Sequence, residues 1–234
     1  MAIKQTINLG NRYSEYFKEP ILEIGSKIYS NYKQFSPRII HEDNISYIGI
    51  DIEKGNGVDK IVDLSLNNNI IEELGWQEKF NTIHCHCVLE HVLDIFKFSN
   101  NISKILKKGG ILYITIPFSW KIHRIPVDMW RFTPQSIDYL FPKILFEKKD
   151  CFYSTRHMDD LIPVDSGPKE FQLGTQLRQN GIFMYLLVKL LRKLNLDNKI
   201  FHERALLLEN NLMMIGKKCD SNKYTFLSEE YLQK

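Results

Sequence analysis

Short apolar runs ending on glycine or acidic residues alternate along this chain with stretches whose apolar residues fall three and four apart. The first run, Ile21-Leu22-Glu23-Ile24, stops at Gly25 and predicts strand 1. Ile28, Tyr29, Tyr32 and Phe35 then predict a helix over 27–35. Residues 45–50 read as strand 2 with Asp51 at its end, and 60–64 as strand 3, ending around Asp63. Asn67 to Asn69 break the chain before a short helix over 70–74. Strand 4 is expected over 82–87, a helix over 95–107 stopped by Gly109-Gly110, and strand 5 over 111–116. Thr133-Pro134 reads as an N-cap with proline in the first turn, opening a helix to Leu140.

Further on, residues 144–153 predict a sixth strand, and 206–215, within a segment 201–216, a last one with Asn210-Asn211 marking a bulge. Residues 1–19 read as a helical lead-in, and the chain from Lys217 as a polar tail. Between them, 154–200 is punctuated by Pro163, Gly167, Pro168, Gly174 and Gly181 before an apolar helix over 182–194. This stretch is expected to cap a site or to make a homodimer face. The whole reads as one domain, with 20–153 as its binding core.

Strands alternating with helices imply a mostly parallel sheet covered on both faces. Ligands of such sheets bind beyond the carboxyl ends of the strands. Gly25, Asp51, Asp63, Glu90 and His91 fall at predicted carboxyl ends, and His123 lies on the loop leaving one. That convergence points to a site.

Composition narrows the picture without deciding it. Of 234 residues, 44% are hydrophobic, enough for a core. Thirty-one basic against 28 acidic side chains leave a net charge of +3, too even to argue for nucleic acid. Cys85, Cys87, Cys151 and Cys219 have no zinc-ligand spacing, and Cys85 and Cys87 should share one face of strand 4 with His86 on the other. The N-terminus has no apolar core of an export signal, and the run 182–194, broken by Lys189, Arg192 and Lys193, is shorter than the roughly 20 residues a membrane span needs. A cytoplasmic protein with reduced cysteines and no membrane span is expected.

Taken in order, the Glu23-x-Gly25-Ser26 turn, the acids after strands 2 and 3, Cys87-Val-Leu-Glu-His91, and Lys108-Gly-Gly before strand 5 resemble a class I S-adenosylmethionine (SAM)-dependent methyltransferase, of the type 11-like kind. The resemblance covers roughly residues 20–150 and the final strand. It implies a Rossmann-like α/β sheet of seven strands, the last antiparallel, with helices on both faces. It also implies SAM as cofactor and S-adenosylhomocysteine as product. On that reading Glu23, Gly25 and Ser26 lie by the methionine portion, with Cys87 and Val88 lining the same arm. Asp51 takes the ribose hydroxyls, Asp63 the adenine amino group, and Ile52 and Leu64 the ring faces. Lys27 stands where the family carries a second glycine, and either points outward or meets the SAM carboxylate. The plainer alternatives are strand-end and Asx-turn roles for Asp51 and Asp63.

Methyl transfer to a hydroxyl needs a base near neutrality, which favours histidine. His123, with Asp128 to orient it, and His91 are the candidates. Glu90, Trp120, Trp130 and Arg131 are the expected acceptor contacts, the arginine through its bidentate fork. Packing roles for the two indoles and an Asp128–Arg131 pair are the alternatives. The His123-x-x-Pro126-x-Asp128-x-Trp130-Arg131-Phe132-Thr133 loop resembles one in bacterial methyltransferases of surface-polysaccharide and sugar modification, implying a nucleotide-linked sugar or glycan precursor as acceptor. A small amine is the alternative acceptor, and a scaffold with a decayed SAM pocket the non-enzymatic one. His157, Asp159 and Asp160 read as a solvated turn, and no metal is expected.

Overall fold

Side-chain alternation along the strands sorts the residues of one sheet onto two faces, each covered differently. The computed structural model describes residues 4–29, 36–41, 45–66, 69–123, 127–155, 161–164, 186, 190, 193 and 210–228. Its sheet has nine strands: β1 (Ile21–Ile24), β2 (Tyr47–Asp51), β3 (Lys60–Ile61), β4 (Phe80–His86), β5 (Leu106–Ser119), β6 (Ile144–Leu145), β7 (Cys151–Thr155), β8 (Ile162–Pro163) and β9 (Asn210–Lys218). The order is β3-β2-β1-β4-β5-β9-β7-β8, with β6 pairing β9 beside this path. β1 to β5 are parallel, and β9 runs antiparallel to β5, β6 and β7. This is a Rossmann-like α/β sheet with an antiparallel last strand, as expected.

One face carries Leu22, Ile24, Ile83, Cys85, Leu112, Ile114, Ile116, Leu212 and Met214. Against it pack α2 (Ile70–Leu74), α3 (Ile95–Ile105) and α4 (Pro134–Leu140), through Ile71, Phe98, Ile102, Ile105 and Ile137. Their ends are set locally. Asp94 accepts from the Lys97 N–H, Gly75 closes α2 in the left-handed region, and Thr133 and Ser136 form a reciprocal capping box behind Pro134.

The opposite face is the more polar one, with Met213 and Ile215 beside its polar residues. Thr82, His84, His86, Tyr113 and Thr115 point there, beneath α1 (Lys4–Arg12) and the short turn Pro37–Ile40. Imidazoles and hydroxyls satisfy one another in a buried chain. His41 Nε2 lies 2.9 Å from His84 Nε2, His84 Nδ1 3.4 Å from His86 Nε2, His86 Nδ1 3.0 Å from Thr115 Oγ1, and Thr115 Oγ1 3.1 Å from Thr6 Oγ1. Such partnering is what allows polar groups to be buried at modest cost. The Cys85/His86 alternation is as expected, and all four cysteines are free.

Several boundaries differ from those read in the sequence. The sheet has nine strands rather than seven, because the expected sixth strand is split by a 3-10 turn at Lys148–Asp150 and because Ile162–Pro163 adds an edge. α3 ends at Ile105, and Gly109-Gly110 sit instead in an irregularity of β5: Leu106 already pairs with Phe80, and Gly109 takes φ +74° so that the strand can resume at Ile111. The bulge expected at Asn210-Asn211 lies across the ladder, where Phe118 is the extra residue of β5. Lys217 and Lys218 belong to β9, and Lys218 Nζ donates to Leu106 O and to Glu78 Oε1. The tail beyond is tied down, with Asp138 Oδ2 accepting from the Thr225 and Phe226 N–H groups. Residues 27–29 are not helical, and the rest of that expected helix lies outside the described residues, as do 156–160 and most of 165–209. No helix among the described residues is long and apolar enough to cross a membrane.

The histidine chain gives stability a pH dependence. Burial draws His41 down to about 4 and puts His84 and His86 well below the usual range. These groups stay neutral in the fold, while the unfolded chain takes up protons near 6.5. Their contribution is therefore complete above about pH 6.5 and is lost as pH falls towards 4. Urea unfolding of wild type and His41→Gln should diverge in slope over this window, the variant losing less stability by on the order of 1–3 kcal/mol at pH 4.5. Parallel pH profiles would contradict the role given to His41.

Candidate active site

Three features place the chemistry-bearing side chains at one edge of the sheet: a glycine turn after β1, a pair of acids after β2 and β3, and a strained exit from β4. Gly25 has φ +77°, and its N–H, with that of Ser26, donates to Ile50 O. A Cβ on Gly25 would stand 2.4 Å from Val88 Cγ2, so the turn lets the tips of β1 and β4 touch. Asp51 closes β2. Its Oδ2 accepts from the Lys27 N–H and its Oδ1 from the Glu53 N–H, both at 3.1 Å. Each oxygen keeps a second lone pair. Next to it Ile52 is 52% exposed, an apolar platform beside a carboxylate. Asp63 Oδ1 accepts from the N–H and hydroxyl of Ser65, an Asx-type turn. The Val62 N–H donates to Asp51 O, joining the two acidic tips.

Some expected cofactor contacts are placed elsewhere. Glu23 alternates onto the polar face, buried, and its Oε2 accepts from the hydroxyls of Tyr47 and Ser36. Leu64 is 1% exposed and packs in the core, so it has no free face for a ring. Ser26 is buried with its hydroxyl directed at Gly49 of β2. Lys27 folds over Gly55, its Nζ 2.5 Å from Glu53 Oε2 and above the Tyr29 ring. The ammonium is paired within the β2–β3 connection rather than directed outward alone.

The chain leaves β4 through Cys87, whose φ of +52° is unusual for a residue with a side chain, and whose N–H donates to Thr115 O. Burial pushes its thiol up to about 12, so it packs as a neutral group. Val88 then leads into the 3-10 turn Leu89–His91. Here Glu90 is 0% exposed, and neither carboxylate oxygen has a hydrogen-bond partner among the described residues. Desolvation pushes this carboxyl up to about 7. His91 donates through Nδ1 to Val127 O, which leaves Nε2 as the free nitrogen, 3.7 Å from Glu90 Oε1. Burial holds the His91 imidazole below its ordinary value.

The long loop after β5 closes over this turn. The Met129 N–H donates to Glu90 O, and Trp130 Nε1 to Val92 O. Within the loop Asp128 accepts from the His123 N–H and is gripped by both terminal nitrogens of Arg131. That pairing holds its carboxyl well below the usual range. His123 is thereby set with Nε2 4.0 Å from Glu90 Oε1 and Nδ1 3.2 Å from Asp128 Oδ2, the latter close but not aligned as a hydrogen bond. The His91 and His123 rings meet edge to face, centroids 5.1 Å apart.

Thus the structure brings His123, Asp128, His91 and Glu90 together. Arg131 and Trp130 take the alternative roles. The guanidinium also donates to Trp130 O and Trp120 O, so its fork is filled within the loop rather than open to an acceptor. Trp130 is half-buried against the core. Sequence reading placed Glu90 as an acceptor contact and missed its isolation. A β4 buried on both faces was the available signal, since it leaves the residue just past the tip inside the fold.

No protein-family model matches the chain, and no curated protein matches it. Among solved structures it is similar to a SAM dependent methyltransferase from Archaeoglobus fulgidus, at 17% identity and a TM-score of 0.49 over 91% of this chain and 92% of that one. It is similar to the YcgJ protein of Bacillus subtilis at 13% identity and a TM-score of 0.49, over 94% and 100% of the two chains. An S-adenosylmethionine dependent methyltransferase from Mesorhizobium loti matches at 13% identity and a TM-score of 0.47, over 90% and 96%. Likeness at this level decides neither ligand nor reaction.

The turn after β1 is open to test. Gly25→Ala should lower stability by about 1–3 kcal/mol, from the positive φ and the clash with Val88. Adding Val88→Ala should recover only the steric part. Full recovery, or no loss at all, would show that the left-handed turn is not required. Arg131→Ala should leave the core transition intact but make the 120–131 loop markedly more sensitive to limited proteolysis, because Asp128 loses its partner. Unchanged cleavage there would remove Arg131 as the loop's staple.

Proposed function

We propose that the chain is a SAM-dependent methyltransferase acting on a hydroxyl, with a nucleotide-linked sugar or glycan precursor as acceptor and an imidazole of His91 or His123 as the base. One observation carries this reading. Gly25, Asp51, Asp63 and the Glu90–His91–His123 cluster stand at the carboxyl ends of β1, β2, β3 and β4, on one edge of a parallel sheet.

The residues fit the cofactor in part. Asp51 has lone pairs left for two ribose hydroxyls, Asp63 Oδ2 stays outside its Ser65 turn, and Ile52 offers an exposed apolar face. Gly25 lets backbone approach where a side chain would intrude. Glu23 and Leu64, with oxygen and side chain engaged elsewhere, are not assigned to it. When bound, SAM supplies a methyl group on a sulfonium, a leaving group that needs no protonation.

What this chain must add is alignment and removal of the hydroxyl proton. The free Nε2 of His91, fixed by Val127 O on the other nitrogen, is set up to accept one. His123 is held beside Asp128, with Nδ1 3.2 Å from Asp128 Oδ2. The buried Glu90 places Oε1 within 4.0 Å of both Nε2 atoms. Arg131 is a positioning residue that holds Asp128 and the loop carbonyls. The sugar class rests on the resemblance of the 123–133 loop and on the half-buried indole of Trp120 beside it.

Calorimetry of the full chain should show binding of both SAM and S-adenosylhomocysteine, weakened at least tenfold by Asp51→Ala. Labelled SAM with a panel of nucleotide sugars should show transfer, and His123→Ala or His91→Ala should cut turnover by about 10²–10⁴ while sparing SAM affinity. Absence of binding by either nucleoside sinks the reading, and unchanged turnover in both variants removes the imidazole base.

A further inference from the structure

Glu90 poses a problem that methyl transfer alone does not solve. A fully buried carboxylate with two unpartnered oxygens is costly, and a protonated one would still need an acceptor for its O–H. Two imidazole nitrogens lie within 4.0 Å of its Oε1. One donor atom from each of Glu90, His91 and His123 lies within 4.8 Å of the others.

We propose that these three residues form a divalent transition-metal site at the carboxyl end of β4. The ligands of one tetrahedral ion at about 2.0–2.2 Å stand roughly 3.4 Å apart. Here Glu90 Oε1 is 3.7 Å from His91 Nε2 and 4.0 Å from His123 Nε2, so side-chain shifts of less than about 1 Å complete the set. The surroundings are those that metal-ligating histidines have. His91 Nδ1 is bonded to Val127 O, and His123 Nδ1 faces Asp128 Oδ2 at 3.2 Å, each leaving Nε2 for the ion. Asp128 is itself fixed by Arg131. The edge of His123, 28% exposed, gives the ion a way in from solvent.

Two nitrogens and one oxygen suit zinc, iron(II), cobalt or manganese better than magnesium or calcium, which prefer oxygen alone. Three protein ligands leave at least one position for a water or an acceptor hydroxyl. A hydroxyl or water bound to such an ion would give up its proton to solvent near neutral pH, and with both Nε2 atoms coordinated this would replace the imidazole base. That use of the ion rests on the reading of the preceding subsection. The binding of the ion does not.

The test is a titration of the full, chelator-stripped chain with Co²⁺, read by its visible absorption, and with Zn²⁺, read by calorimetry. One ion per chain is expected, with affinity reduced at least 10-fold in each of Glu90→Gln, His91→Ala and His123→Ala and unchanged in the thiol control Cys219→Ser. Imidazole nitrogen spectra of the wild-type chain, which need no variant, should show the Nε2 signals of His91 and His123 moving on Zn²⁺ addition. Absence of binding, affinity indifferent to the three substitutions, or unmoved Nε2 signals each overturn the site. SAM affinity measured on the same metal-free protein separates this outcome from the fate of the methyltransferase reading: its loss with metal binding intact removes only the hydroxyl activation.

Discussion

β4 is hydrogen-bonded on both edges, to β1 and to β5, and buried on both faces, so the chain cannot turn until it has passed the end of the sheet. When it does turn, at Cys87, it does so in the left-handed region and under cover of the neighbouring strand. The next residues are therefore still inside the protein. A carboxylate at Glu90 is cut off from solvent, and two imidazole nitrogens stand within 4.0 Å of its Oε1, with Arg131 and Asp128 also acting on it. Parallel pairing also brings the Gly25 turn and Asp51 to the same edge. The site follows from where buried strands are allowed to end.

The loop after β5 serves that edge. Its polar groups bond within the loop and to the turn after β4: Asp128 and Arg131 form a bidentate pair, Trp130 ties its indole to Val92 O, and the Met129 N–H closes on Glu90 O. The outcome, over the described residues 120–123 and 127–133, is a flap that presents one imidazole, His123, toward Glu90. This explains why Arg131 and Trp130, which look like ligand-binding residues in a sequence, are framework here.

Much of this was legible in the residues themselves. Period-two alternation of side chains through 82–87 separated Cys85 from His86 correctly, and Thr133-Pro134 marked the start of α4. The convergence of Gly25, Asp51, Asp63 and His91 on strand ends needed only the alternation of strands and helices. What escaped was set by tertiary partners. Gly109-Gly110 looked like a helix stop because glycine in the left-handed region has the same signature in a helix cap and in a bulged strand. Glu23 reads as a turn acid, yet strand alternation turns it to the face where Tyr47 and Ser36 wait, both distant in sequence. The hydrogen-bonded chain from His41 to Thr6 joins four separate segments, and no local pattern announces it.

The central claim is spatial: a nucleoside held at the tips of β1 to β3 presents its reacting end to the cluster at the tip of β4. A crystal structure with S-adenosylhomocysteine tests it most directly. The account predicts ribose hydroxyls on Asp51, adenine over Ile52, and the thioether sulfur facing His91 and His123. Nucleoside density away from Asp51, or a sulfur turned from those imidazoles, would contradict it.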